Sequence, residues 1–117
     1  AAIETTHGLV SYHTSKAAMI AFTQQLAIQN APFGVRANVI CPGFVRTPLV
    51  DKQIKDQAAT HGIPEEQVVE KIMLTESAIK RLVEPEEVGE LIAFLAGPSA
   101  GMVTGSSYAM DGGWMAS

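Results

Sequence analysis

The sequence holds a single cysteine, Cys41. One thiol closes no intramolecular disulfide, and with histidine only at His7, His13 and His61 no Cys/His cluster has metal-ligand spacing. Thiol and metal chemistry are therefore not expected, and the expected metal is none. Charge is also scarce: 17% of residues, with 8 Lys and Arg against 12 Asp and Glu, a net of −4. The basic residues are scattered rather than gathered in a stripe, so nucleic acid is not an expected partner. No apolar run approaches the roughly 18 residues that a bilayer span requires, and the first residues lack the basic-then-apolar order of a secretory leader. The expectation is no membrane partner and a cytoplasmic location. Internal repeats and low-complexity segments are missing as well. What is plentiful is apolar side chain, 47% of 117 residues, which suits one ordinary core and a small-molecule ligand.

From Ser11 to Asn30 the residues Ala17, Ile20, Ala21, Gln24, Leu26 and Ala27 fall at helical spacing, and Ala31-Pro32-Phe33-Gly34 stops the run. Val35 to Cys41 is rich in β-branched residues and closed by Pro42-Gly43, which predicts a strand buried on both faces. Thr47 to Thr75 is amphipathic and polar, split at His61-Gly62-Ile63-Pro64, so two short helices are expected, with Pro64 near the start of the second. Pro85-Glu86-Glu87 opens another helix with carboxylates where the dipole favours them. Its apolar face is Val88, Leu91, Ile92, Phe94 and Leu95, and it stops near Gly97-Pro98. Ser106 to Met110 reads as a last strand before a turn at Asp111-Gly112-Gly113-Trp114.

Helix, strand, excursion, helix, strand is the alternation of a parallel α/β sheet covered by helices. Two parallel strands cannot bury their own faces and edges, and complete doubly wound nucleotide-binding domains run to about twice this length. Residues 1–117 are therefore expected to be the C-terminal part of one such domain, whose N-terminal half lies elsewhere.

Tyr12 and Lys16 stand four residues apart at the start of the first helix, a spacing that puts both on one face. An ammonium about 4 Å from a phenolate is worth about 4 kcal/mol at an effective dielectric near 20, or about three pKa units. A phenol that ordinarily ionises near 10 would then exchange a proton near neutrality, as acid/base chemistry on a carbonyl or alcohol requires. Taken alone, such a pair also arises as a solvated helix face.

Further elements come in order along the chain. Asn38-x-x-x-Pro42-Gly43 ends the strand, Thr47 comes shortly after, and the chain closes with Thr104-Gly105 and Asp111-Gly112-Gly113. With Tyr12-x-x-x-Lys16, these make the sequence resemble the short-chain dehydrogenase/reductase family over essentially its whole length. The resemblance implies an α/β, Rossmann-like doubly wound parallel sheet, present here as its C-terminal half. It also implies an NAD(P)-dependent oxidoreductase that interconverts a secondary alcohol and a ketone. Tyr12 would give or take the hydroxyl proton beside the cofactor, and Lys16 would lower its pKa and hydrogen-bond the nicotinamide ribose. Pro42 and Gly43 would let backbone pass close to the cofactor. Val45 would hold the carboxamide through its backbone, and Thr47 would bond the carboxamide or pyrophosphate side. Residues of about 48–75 would form a mobile substrate lid that excludes water. The expected cofactor is NAD or NADP, NAD slightly favoured, and the expected full-length assembly is a homotetramer acting on a small hydroxy or keto substrate.

Within the family, the run from Ile40 to Ile54, Lys80 to Glu87, and the ending Asp111-Gly112-Gly113-Trp114 resemble the bacterial 3-hydroxybutyrate dehydrogenases. In those, a glutamine matching Gln53 helps bind the substrate carboxylate. Their histidine and lysine near the tyrosine fall, without a gap, on Ala1 and Leu9, and the catalytic serine falls just before Ala1. A register with about six residues deleted instead aligns Thr5 with the serine and His7 with the histidine. The ungapped register is preferred, because a deletion would shorten the loop that positions the tyrosine. The family's glycine-rich phosphate loop has no counterpart: Gly97, Gly101 and Gly105 are spaced by four but read as turn residues. Alternatives are a 3-oxoacyl thioester reductase and a non-catalytic oligomerisation piece, and the 117 residues by themselves are expected to be inactive. Arg46 reads as an ion-pair residue, Glu65-Glu66 as a solvated helix start, the methionines as core or lid packing, Cys41 as a small buried hydrophobe, and Trp114 as a residue at a subunit contact.

Overall fold

The structure is a computed structural model that describes residues 10–116 and, among these, the side chains of all but Val10, Tyr12 and His13. It divides into two compact units, one of residues up to Cys41 with Leu91–Tyr108, the other of Pro42–Glu90 with the residues from Ala109 onward.

In the first unit, α1 spans Val10–Asn30. Its sheltered positions Lys16, Ala17, Ile20, Thr23, Leu26, Ala27 and Asn30 lie on one side of a 3.6-residue helix, while Ala21 and Gln24 are exposed, against expectation. The Asn30 amide donates to the Leu26 carbonyl at 2.9 Å. A 3₁₀ turn, Ala31–Phe33, then ends on Gly34 at φ 73°, the left-handed stop that the Pro32-Phe33-Gly34 run predicts. The first strand, β1, is Val39–Pro42 and is half-buried until its exposed last residue. The expected strand was longer, from Val35, and buried on both faces. The correction has a local cause: over 36–38 side chains take part where a ladder would run. Arg36 Nη1 donates to Leu95 O at 2.7 Å and Val103 O at 3.2 Å, and Nη2 lies 3.4 Å from Gly97 O. Asn38 donates to Val103 O at 2.9 Å and accepts from Ser106 N at 3.2 Å. Thr104 Oγ1 accepts from Ala37 N at 3.1 Å. Asn38 thereby ties the start of β1 to the approach of β2, Ser107–Met110. β1 pairs with β2, and Val39 N to Ser106 O and Gly43 N to Met110 O keep one constant offset, so the strands run parallel. Cys41 is half-buried rather than buried.

The second unit carries a small core of its own. α2, Pro48–His61, has the full set of end signals: Thr47 as N-cap, Pro48 in the first turn, Asp51 near the positive end, His61 in the last turn and Gly62 at φ 63° as stop. Val50, Ile54 and Ala58 form its inward stripe. α3, Glu65–Val68, follows Pro64, and a π turn, Val69–Met73, continues it, closed by Leu74 N donating to Val69 O at 2.9 Å. Ile54, Val68, Met73, Leu74 and Leu82 pack together. Lys80 donates to the carbonyls of Leu74 (2.6 Å) and Thr75 (2.9 Å), a cation on the end of that turn. α4 is Pro85–Ala96. Of its expected apolar face Val88, Leu91 and Leu95 are sheltered, whereas Ile92 and Phe94 are exposed.

The Asp111-Gly112-Gly113 turn is a knot in this second unit. Gly112 O accepts from Ala78 N at 2.8 Å and from Ile79 N at 2.9 Å. Asp111 Oδ1 accepts from Gly113 N, and Oδ2 from Met115 N, capping the short 3₁₀ turn Trp114–Ala116. The buried Ser77 hydroxyl donates to Asp111 O at 3.2 Å. Among the methionines only Met73 lies in the core. Met110 is half-buried, and Met19, Met102 and Met115 are exposed, so the packing role expected of them fails there.

Candidate active site

Positions 12 and 16 lie one turn apart on α1, and Lys16 is half-buried on the helix's sheltered side. The Tyr12 side chain and residues Ala1, Thr5, His7 and Leu9 lie outside the described residues, so the two registers stand as the sequence leaves them. Pro42, Gly43, Val45, Thr47 and Gln53 belong to the second unit.

There the chain from the end of β1 to α2 is built with little freedom. A Cβ on Gly43 would stand 3.1 Å from Asp111 Cα and 3.3 Å from Asp111 Cβ. Sequence reasoning reserves this glycine for the cofactor, yet the close approach of Asp111 already crowds any side chain there. Val45 forms an isolated parallel bridge with Val83, in which Arg46 N donates to Val83 O and Phe44 O accepts from Val83 N, both at 2.8 Å. Those bonds use the groups flanking Val45, so Val45's own N–H and C=O point to the opposite side. One donor and one acceptor on one residue match the two functions of a primary carboxamide. Thr47 Oγ1 accepts from Val50 N at 3.2 Å. A hydroxyl that accepts there keeps its proton to donate elsewhere, so capping and ligand binding are compatible at Thr47. Phe44 meets Trp114 edge to face, with ring centroids 6.5 Å apart. Pro42 and Gln53 are exposed.

Arg46 is the ion-pair residue the sequence suggests. Its Nε donates to Glu84 Oε1 at 3.0 Å and its Nη1 to Asp51 Oδ1 at 3.2 Å. Glu84, by its hydrogen bond and then its charge, raises the guanidinium above the usual arginine value, with Asp51 adding to it against the opposing pull of desolvation. Sequence reasoning missed the Asp111 carboxylate as a cap, although an aspartate just before a short helix is its ordinary signal. It also missed Arg36 on carbonyls about sixty residues away, for which no local pattern exists, and Lys80 on the nearby carbonyls of Leu74 and Thr75.

Among the described residues no group of three or more His, Cys, Asp or Glu could hold a metal ion, and no helix is long and apolar enough to cross a membrane.

Comparison with known proteins gives the fold and family. A family model described as enoyl-(acyl carrier protein) reductase matches residues 1–115. A D-beta-hydroxybutyrate dehydrogenase of Rhizobium meliloti is 44% identical over 97% of this chain and 46% of its own length. One from Cupriavidus necator is 41% identical, with the same coverage. The chain thus spans about half the length of the curated relatives it matches. Among solved structures, a short-chain dehydrogenase family protein from Francisella tularensis superposes with a TM-score of 0.83 at 29% identity, covering 99% of this chain and 48% of that one. A 4-hydroxyisoleucine dehydrogenase complexed with NADH gives 0.82 at 25%, covering 99% and 44%. An L-sorbose reductase from Gluconobacter frateurii complexed with NADPH and L-sorbose gives 0.81 at 30%, covering 91% and 40%. The half-sheet of parallel strands and helices is thus part of a Rossmann-like fold, and the chain belongs to the short-chain dehydrogenase/reductase family of oxidoreductases.

Proposed function

We propose that the whole protein moves a hydride between a nicotinamide cofactor and a small secondary alcohol or ketone, with 3-hydroxybutyrate and acetoacetate as the substrate pair. The observation that carries this is Tyr12 and Lys16 one turn apart on α1, in a chain 44% identical to a D-beta-hydroxybutyrate dehydrogenase over 97% of its length. A bound nicotinamide ring supplies the hydride donor or acceptor. The rest falls to the chain. Tyr12 takes the hydroxyl proton as the carbinol carbon is oxidised, and returns it to the carbonyl oxygen in the reverse direction. Lys16 supplies the positive charge that favours the phenolate and a donor for a ribose hydroxyl. Val45 offers the donor and acceptor that a carboxamide needs, Thr47 has a proton left to donate to the carboxamide or the pyrophosphate side, and Pro42-Gly43 would let backbone pass close to the cofactor. The body α2–α3 covers the substrate and excludes water, with Gln53 directed to the carboxylate. NAD is the first cofactor to test and NADP the second, since related structures hold each. A homotetramer would cover apolar side chains exposed on α1, such as Met19, Phe22 and Ile28.

A second reading is reduction of a 3-oxoacyl thioester: the description of the matching family model shares the acyl thioester with it, although the bond that description names is an enoyl C=C rather than a 3-oxo carbonyl. A panel of 3-hydroxybutyrate, 3-oxoacyl thioesters and simple alcohols with each cofactor, on the whole protein, separates them. Fastest turnover of 3-hydroxybutyrate with NAD is the expected result. Preference for a thioester gives the second reading, and no turnover of any substrate refutes both.

A further inference from the structure

A role for Arg46 rests on the proposed function of α2 and α3 as the cover over the substrate. α2, α3 and the π turn are not a loose loop, because they enclose Ile54, Val68, Met73 and Leu74, closed by Leu82. A segment with its own core moves as a body about the places where the chain enters and leaves it. Entry is Phe44 to Thr47 and exit is Leu82 to Glu84, and the Val45–Val83 bridge holds the two side by side. Arg46 sits in this neck. Its backbone is fixed to Val83, while its guanidinium reaches Glu84 on the exit segment and Asp51 in the first turn of α2. The next residue, Thr47, caps that same turn.

We propose that Arg46 is a positioning residue, a latch at the neck of the cover that fixes the start of α2 and with it the Thr47 hydroxyl. The latch is built to release. Side-chain exposure is 47% and 47% for the Arg46–Asp51 pair and 47% and 41% for Arg46–Glu84. Exposed pairs of this kind hold a geometry without locking it, and salt screens them. The backbone bridge keeps entry and exit together when the pairs part, so release frees the first turn of α2 without unravelling the body.

Hydrogen exchange of the whole protein without cofactor is the direct test. In Arg46→Met, the amides of Val50 and Asp51, held by Thr47, should exchange about three- to tenfold faster, the loss expected of two exposed ion pairs. Amides around Val68 and Leu74 should be unchanged. Glu84→Gln should give a smaller increase at the same amides. Arg46→Lys should recover only part, since one ammonium does not span two carboxylates as a planar fork does. In about 1 M salt, where the Debye length is about 3 Å, the parent protein should approach the Arg46→Met rates while that variant stays put. Equal rates in parent and Arg46→Met, or faster exchange throughout the body, would overturn the latch. With cofactor added, KM for it should rise in Arg46→Met with little change in kcat. If exchange responds as expected but KM does not move, the latch stands, and the assignment of Thr47 to the cofactor is what fails.

Discussion

Replacing Arg36 by methionine removes the guanidinium and keeps a stem of similar length, so the change isolates its polar role. In the structure that group serves the C-terminal end of α4, which carries no basic residue in its own last turn. It donates to Leu95 O at 2.7 Å and Val103 O at 3.2 Å, with Gly97 O at 3.4 Å a poor third. Hydrogen bonds from a charged donor reach about 1.5–3 kcal/mol, but a half-buried group lets water replace part of the loss. About 1 kcal/mol for each of the two good bonds, and about 0.5 kcal/mol for the cation at the negative helix end, gives about 2.5 kcal/mol. Against a typical total of about 5–15 kcal/mol this is a large fraction. Urea unfolding of the whole protein should show the midpoint falling by about 1–2 M with an unchanged slope. Amides at the end of α4 should lose exchange protection first. Arg36→Lys should recover about half of the lost stability, because one ammonium keeps the charge and one good bond. A loss below about 0.5 kcal/mol, or equal losses for Met and Lys, would refute the role given to Arg36, since neither fits a charge bonded to two carbonyls.

Two further substitutions test the second unit. Gly112→Ala places a side chain at φ 63° with its Cβ 3.0 Å from Ile79 O, and should cost about 2–4 kcal/mol from left-handed strain and displacement of the 78–79 segment, read as a lower thermal midpoint. Leu82→Ala empties a site that is 2% exposed at the centre of the cover's core, and should cost about 2–5 kcal/mol, with exchange rising across α2, α3 and the π turn together. A cost under about 1 kcal/mol at Leu82 would mean that the body has no cooperative core of its own.

Much of the fold was legible because the signals are local. Thr47-Pro48 and Gly62 bound α2 within their own turns, Pro64 begins α3, and Pro85-Glu86-Glu87 opens α4 where carboxylates suit the dipole. Arg46 was recognisable as an ion-pair residue, although its exit-side partner Glu84 is 38 residues away. What was illegible depends on distant groups. Val35, Val39 and Ile40 announce a long strand, but Arg36 and Asn38 spend their side chains on backbone from Leu95 to Ser106, and the regular ladder begins only at Val39. Leu82 sits between charged Arg81 and a strand bridge, with no periodicity to mark it as the plug of another segment's core. The π turn at Val69–Met73 has no residue that advertises it, because a wider turn is set by what packs around it. In the candidate site, the types and order of Tyr12, Lys16, Val45 and Thr47 were visible. The bridge that turns the Val45 amide outward was not, and Gly43 had a packing reason that only the approach of Asp111 reveals.

The central claim is that Tyr12, made acidic by the charge of Lys16, carries the proton of the redox step. Tyr12→Phe in the whole protein, assayed by initial rates with 3-hydroxybutyrate and NAD alongside equilibrium binding of the cofactor, tests it most directly. The kcat should fall by about 10²–10⁴, the range for losing a positioned acid/base group, while cofactor affinity stays within about threefold. Turnover within tenfold of the parent, with the phenol gone, would contradict it.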